Sequence, residues 1–204
     1  MITEKLRKYF VMGSKQCLKD PAAVLEEAAS AGVTAFQFRE KGKGALEGEK
    51  RKHLGLELRE ICRHHGIPFI VNDDIDLAVE LEADGIHVGQ SDQDVSYIKR
   101  HYPEWIVGLS VSNAEEVLHS PINQVDYLGA GPLFQTTTKE DAKEAVGLKW
   151  IKRLRGWYPH VPIVGIGGIN TRNAASVIEA GADGVAVISA ITKADSVNEA
   201  VRDL

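Results

Sequence analysis

The chain has 204 residues, 44% of them hydrophobic and 26% charged, an ordinary folded-domain composition that excludes a disordered or fibrous protein. A formal net charge of -5 excludes a dominant basic face for nucleic acid, and no stretch approaches the roughly 18 apolar residues of a membrane span. Cys17 and Cys62 stand far apart with no CxxC spacing, and the first eight residues mix charges before any apolar run, so a reducing cytoplasm is the expected location, with no export signal.

Short apolar runs rich in β-formers alternate with amphipathic segments along the chain. The first predicted strand is Tyr9 to Met12; Asp20-Pro21 then supplies an N-cap and a first-turn proline for a helix that Ala31-Gly32 closes. Thr34 to Phe38 is the second strand. Leu54, Leu58, Ile61 and Cys62 share one face of a helix predicted over Leu46 to His65, with Gly66 as C-cap. Strands follow at Pro68 to Val71, Gly85 to Val88, Ile106 to Ser110 and Tyr127 to Ala130, and Asn113 with Glu116 forms a capping-box-like helix start. The last strands are Pro162 to Gly165 and Gly184 to Val187, around a helix opened by Thr171 and closed by Ala180-Gly181.

Eight strands alternating with helices in about 200 residues predict an α/β fold, a single (β/α)8 TIM barrel spanning residues 1–204. A dinucleotide-binding open sheet is disfavoured, because Gly165-Ile166-Gly167-Gly168-Ile169-Asn170 lacks the third glycine and follows the seventh strand, not the first. No GxxxxGK[ST] loop occurs either.

Barrel chemistry collects at the C-terminal ends of the strands, and polar residues follow almost every predicted strand. Alternation places Gln37 and Arg39 on one side of strand 2 and Phe36 and Phe38 on the other, so Arg39 and Lys41 aim two cations at the mouth. Asp73 and Asp92 follow neighbouring strands, and Mg²⁺ is commonly held by one or two carboxylates with phosphate oxygens and water. Asp74 is the better helix cap, which leaves Asp73 for a metal. Gly167-Gly168 and the turn at Ser189 fall where barrels cradle a phosphate. Two anion sites in one mouth point to two phosphorylated substrates, or one long one. His87 reads as a structural histidine satisfied within its strand, and the three tryptophans read as packing area.

The segments Gln37-Phe38-Arg39-Glu40-Lys41, Asn72-Asp73-Asp74-Ile75-Asp76, His87-Val88-Gly89-Gln90-Ser91-Asp92, Gly131-Pro132-Leu133-Phe134-Gln135-Thr136-Thr137-Thr138-Lys139 and Gly165-Ile166-Gly167-Gly168 resemble the thiamine-phosphate synthase family, in order and over nearly the whole chain. The resemblance implies a transferase that joins a pyrimidylmethyl diphosphate to a thiazole phosphate, or its carboxylate form, and releases pyrophosphate. It implies that Gln37, Phe38, Arg39, Glu40, Lys41, Asn72, Ser110 and Lys139 bind the pyrimidine diphosphate, with Arg39, Lys41, Ser110 and Lys139 catalytic. It further implies that Thr136, Thr137, Thr138, Gly168, Ile188 and Ser189 bind the thiazole phosphate, and that Asp73 and Asp92 hold Mg²⁺ as the cofactor. The resemblance also implies that the diphosphate departs first and leaves a pyrimidylmethyl cation, which needs electrostatic stabilisation and no protein nucleophile.

Two rivals carry different chemistry. A thiazole tautomerase of the same superfamily has a histidine two positions after the strand-5 serine and no carboxylate at the Asp92 position, whereas this chain has Ser112 and Asp92. A catalytically silent barrel that binds thiamine precursors would have little need of Asp73 and Asp92 together with Arg39, Lys41 and Lys139. The expected partners are therefore phosphorylated small molecules, with neither nucleic acid nor membrane; the oligomeric state stays open, a homo-oligomer included.

Overall fold

In the computed structural model, which describes residues 2–136, 138 and 144–204, eight parallel strands close into a barrel in sequence order. The strands are β1 (Lys8–Met12), β2 (Ala35–Phe38), β3 (Phe69–Asn72), β4 (Gly85–Val88), β5 (Ile106–Val111), β6 (Tyr127–Ala130), β7 (Ile163–Ile166) and β8 (Gly184–Val187). Pairing of Tyr9 with Ala186 and of Phe10 with Val187 joins β8 to β1 and removes both sheet edges. The predicted strands are thus present, three with the same bounds and the others with ends that differ by one residue.

The helices are α1 (Ile2–Lys5), α2 (Pro21–Ser30), α3 (Gly48–His65), α4 (Ile75–Glu80), α5 (Val95–His101), α6 (Ala114–Leu118), α7 (Leu148–Trp157), α8 (Ala174–Glu179), α9 (Ser189–Thr192) and α10 (Val197–Arg202). Side chains of Asp20, Asp74, Asp94, Asn113 and Ser196 accept N–H bonds at the starts of α2, α4, α5, α6 and α10. Gly66 closes α3 in the left-handed conformation, at φ 65°. Two helices begin later than the sequence pattern predicts. Helix α3 starts at Gly48 because the Leu46 N–H donates to the Glu40 carboxylate, and α8 starts at Ala174 because Asn170 and Asn173 hold the preceding turn through side-chain to backbone bonds.

Alternation along the strands divides the core in two. Phe10, Phe36, Phe38, Phe69, Ile86 and Val88 face outward and pack under the helices with Leu54, Leu58 and Ile98. Tyr9, Val11, Ala35, Ile70, Tyr127, Val164 and Ala186 fill the barrel interior, with Leu6 and Ile2 packed against them.

A device repeated four times ties consecutive strands together at the N-terminal end of the barrel. The residue preceding each even-numbered strand accepts an N–H from the odd-numbered strand before it: Lys8 donates to Thr34, Phe69 to Asp84, Val107 to Asp126 and Ile163 to Asp183. These bonds, 2.7 to 2.9 Å long, satisfy strand-end donors that the parallel ladder leaves over. They also leave the opposite rim free for loops that carry ligand-binding groups.

Candidate active site

At the C-terminal rim the strand ends and following loops enclose a cavity of about 470 Å³. Arg39, Lys41, Asn72, Asp73, Asp92 and Ser110 line one part of it; Thr136, Thr138, Gly168, Ile188 and Ser189 line another. These sequence-predicted groups, from β2 to β8, are therefore brought to one space.

Arg39 is buried, and its backbone N–H donates to the Met12 carbonyl, continuing the β1–β2 ladder past the last strand residue. The Lys41 ammonium donates to the Asp73 carboxylate at 2.7 Å. Asp73 itself sits at φ 63°, a left-handed conformation uncommon outside glycine, and its N–H donates to the His87 carbonyl. Asp74, next along, caps α4 by accepting from the Leu77 N–H and pairs with Arg51, so the two adjacent carboxylates have different roles. Asp92 accepts the Gly89 N–H at 2.8 Å, which folds the β4 loop back toward the rim.

Burial raises the Asp73 carboxyl above the usual aspartate range; the Lys41 hydrogen bond opposes the shift, and the neighbouring Asp92 charge adds to it. Lys41 is raised in turn, chiefly by its hydrogen bond to Asp73. Two carboxylates close enough to repel, partly removed from water, fit a divalent cation completed by phosphate oxygens and water.

Opposite them, Gly167 at φ 95° and Gly168 at φ 66° follow β7. A Cβ on Gly168 would stand 2.6 Å from the Gln135 carbonyl, and one on Gly167 would stand 2.4 Å from the Pro132 side chain. Both glycines are therefore required by backbone conformation and by close packing of the β6 loop, as well as forming cavity wall. The Thr138 hydroxyl lies 3.5 Å from that of Ser189, joining the β6 and β8 loops.

Three expectations change. Phe38 does not enter the cavity: it is buried on the helix side, stacked against Phe69 with ring centroids 6.2 Å apart, because alternation from Gln37 turns it outward. Glu40 is also absent from the cavity lining, its carboxylate accepting from the Ser14 N–H and hydroxyl and from the Leu46 N–H, a brace for the loop that carries Arg39 and Lys41. Gln37 faces inward but one layer lower, donating to the Tyr9 hydroxyl at 3.0 Å. Thr137 and Lys139 lie outside the described residues.

Several wall residues carried no ligand-binding assignment from the sequence. The His87 Nε2 lies 2.8 Å from the Ser110 hydroxyl at the cavity floor. Gln90 donates to the Ser110 carbonyl, and Glu116 accepts from the Ser112 N–H and hydroxyl. The available signal for His87 was the period-2 pattern from Gly85, which turns it inward beside Asn72.

A closed (β/α)8 barrel with cations, paired carboxylates and a glycine-rich turn around one rim cavity defines a class of enzyme that handles phosphorylated small molecules. Residues 8–191 match the family model described as thiamine monophosphate synthase. Over 199 residues the chain is 56% identical to the thiamine-phosphate synthase of Oceanobacillus iheyensis, covering 98% of this chain and 97% of that protein. It is 51% identical to the thiamine-phosphate synthase of Bacillus cereus strain AH820 over 203 residues, covering 100% of this chain and 93% of that one. The thiamine phosphate pyrophosphorylase structure from Pyrococcus furiosus superposes with a TM-score of 0.88 at 34% identity, covering 100% of this chain and 96% of that one. The chain belongs to the thiamine monophosphate synthase family. A 3-hexulose-6-phosphate synthase structure, at TM-score 0.64 and 17% identity, shares the fold alone.

Proposed function

We propose that the protein joins a pyrimidylmethyl diphosphate to a thiazole phosphate, giving thiamine phosphate and pyrophosphate. The observation that carries this reading is the convergence of Arg39, Lys41, Asn72, Asp73, Asp92 and Ser110 with Thr136, Thr138, Gly168 and Ser189 on one cavity, in a chain of this family.

Arg39 and Lys41 supply fixed positive charge toward which a diphosphate orients, and they stabilise the anion that develops as its bond to the pyrimidylmethyl carbon breaks. Asn72 and Ser110 offer hydrogen bonds to the same ligand from β3 and β5. Thr136, Thr138 and Ser189, with the Gly168 backbone, hold the thiazole phosphate across the cavity, so the thiazole nitrogen meets the carbon that loses the diphosphate. Asp73 and Asp92 are the residues that would hold Mg²⁺, which when bound neutralises charge on the leaving diphosphate. Among the described residues no helix is long and apolar enough to cross a membrane.

The test is to mix the protein with both substrates and Mg²⁺ and follow thiamine phosphate and pyrophosphate. Stoichiometric formation of both is expected, lost in excess chelator and restored by Mg²⁺. No thiamine phosphate overturns the reading; full activity in chelator overturns the metal assignment alone.

A further inference from the structure

Beneath the cavity floor a line of hydrogen bonds crosses the barrel interior from β2 to β5. The Gln37 amide N–H donates to the Tyr9 hydroxyl at 3.0 Å, the Tyr9 and Tyr127 hydroxyls lie 2.8 Å apart, Tyr127 lies 2.9 Å from His87 Nδ1, and His87 Nε2 lies 2.8 Å from the Ser110 hydroxyl. Burial pushes both phenols well above the usual tyrosine range, so each keeps its single proton.

With the Gln37 amide nitrogen as the first donor, one direction satisfies the whole line. Tyr9 accepts from Gln37, so its own proton goes to Tyr127; Tyr127 accepts that proton, so its own goes to His87 Nδ1. With Nδ1 an acceptor, the neutral imidazole carries its proton on Nε2 and donates it to Ser110. Ser110 then has its acceptor side engaged from below and its hydroxyl proton available to the cavity it lines. The strands make room for this line at two glycines: a Cβ on Gly108 would stand 2.1 Å from the Tyr127 ring and 2.4 Å from His87 Nδ1, and one on Gly129 would stand 2.8 Å from His87 Cε1. Neither glycine is at positive φ, so what each position requires is space, not backbone freedom.

We propose that His87 is a positioning residue, held by Gln37, Tyr9 and Tyr127 as the Nε2-protonated tautomer, and that it makes the Ser110 hydroxyl a fixed hydrogen-bond donor to an acceptor atom of the bound substrate. The tautomer follows from the protein alone; the identity of the ligand rests on the reading under Proposed function. The site thereby selects a ligand atom with a lone pair at Ser110, a phosphate oxygen or a ring nitrogen, and disfavours one that bears a proton there.

Nitrogen-15 spectra of the ligand-free protein with labelled histidine test the tautomer without reference to activity. The expected result for His87 is a protonated Nε2 and a bare Nδ1; a proton on Nδ1, or on both nitrogens, overturns the proposal. A double-mutant cycle then tests the route. Tyr127→Phe removes the donor to Nδ1 and is expected to lower kcat/KM about 10-fold in the wild-type background but less than about 2-fold once Ser110→Ala is present. Equal losses in both backgrounds overturn action through Ser110. His87→Gln keeps an acceptor and a donor at similar separation and is expected to retain at least about a tenth of activity, whereas His87→Phe falls lower by a further factor of 10 or so; equal loss in the two overturns the role. Titration with inorganic pyrophosphate and with the unphosphorylated pyrimidine alcohol identifies the acceptor as whichever ligand loses affinity in both Tyr127→Phe and Ser110→Ala; loss for neither overturns the donor. If wild-type protein forms no thiamine phosphate, the function fails while the nitrogen-15 result still decides the tautomer.

Discussion

Lys41 and Asp73 meet at 2.7 Å across the loops that follow β2 and β3, and Asp73 holds that position at φ 63°. Backbone strain, partial burial and the neighbouring Asp92 all load the same residue, while the half-exposed ammonium of Lys41 returns little.

Asp73→Asn therefore stabilises the protein in the absence of substrate and metal. Asparagine keeps the side-chain size, tolerates the left-handed conformation and still accepts from Lys41, but it removes the charge that faces Asp92. The expected rise in Tm, measured in chelator, is about 2 °C, the shift that somewhat under 1 kcal/mol produces in a chain of this length. Turnover falls by about 100-fold in the same variant. A lower Tm would show that the carboxylate is not a cost to the ligand-free fold.

Phe38→Leu tests which side of β2 that ring occupies. Since Phe38 packs with Phe69 beneath the helices, the substitution costs about 1 kcal/mol or more of stability and leaves KM for the pyrimidine diphosphate unchanged. Denaturant unfolding and steady-state kinetics give the two numbers. A raised KM at unchanged stability would place the ring in the cavity.

Asp84→Ala removes one of the four ties at the N-terminal end of the barrel, leaving the Phe69 N–H without its acceptor. The expected cost is about 1–3 kcal/mol, read as a lower denaturation midpoint, with kcat unaffected because the tie lies at the end remote from the cavity. A fall in kcat without a change in stability would contradict that separation of stability from function, which the barrel otherwise displays.

Much of the fold was legible because its causes are local. Short, nearly continuous apolar runs mark strands that are covered on both sides, Asp20, Asp74 and Asn113 cap the helices that follow them, and Gly66 adopts the conformation a helix end requires. The alternation along β2 already opposed Phe38 to Arg39, so the placement of Phe38 was available before the structure. Glu40 was different: nothing local says that its carboxylate binds Ser14 and Leu46, since that contact depends on how two loops lie side by side.

By itself the sequence determined the eight alternating units, their caps and the ligand-type residues at the strand ends, because each depends on residues within one or two turns of chain. Only the tertiary structure decided what those residues do to one another. Tyr9 and Tyr127 are separated by 118 positions, and the register of the five strand pairings from β1 to β6 places their hydroxyls 2.8 Å apart. The role of His87 beneath Ser110 follows from that register, and so does the repulsion between Asp73 and Asp92. Hydrogen-bond direction and charge repulsion are set by ångström distances across strands, which spacing along the chain does not encode.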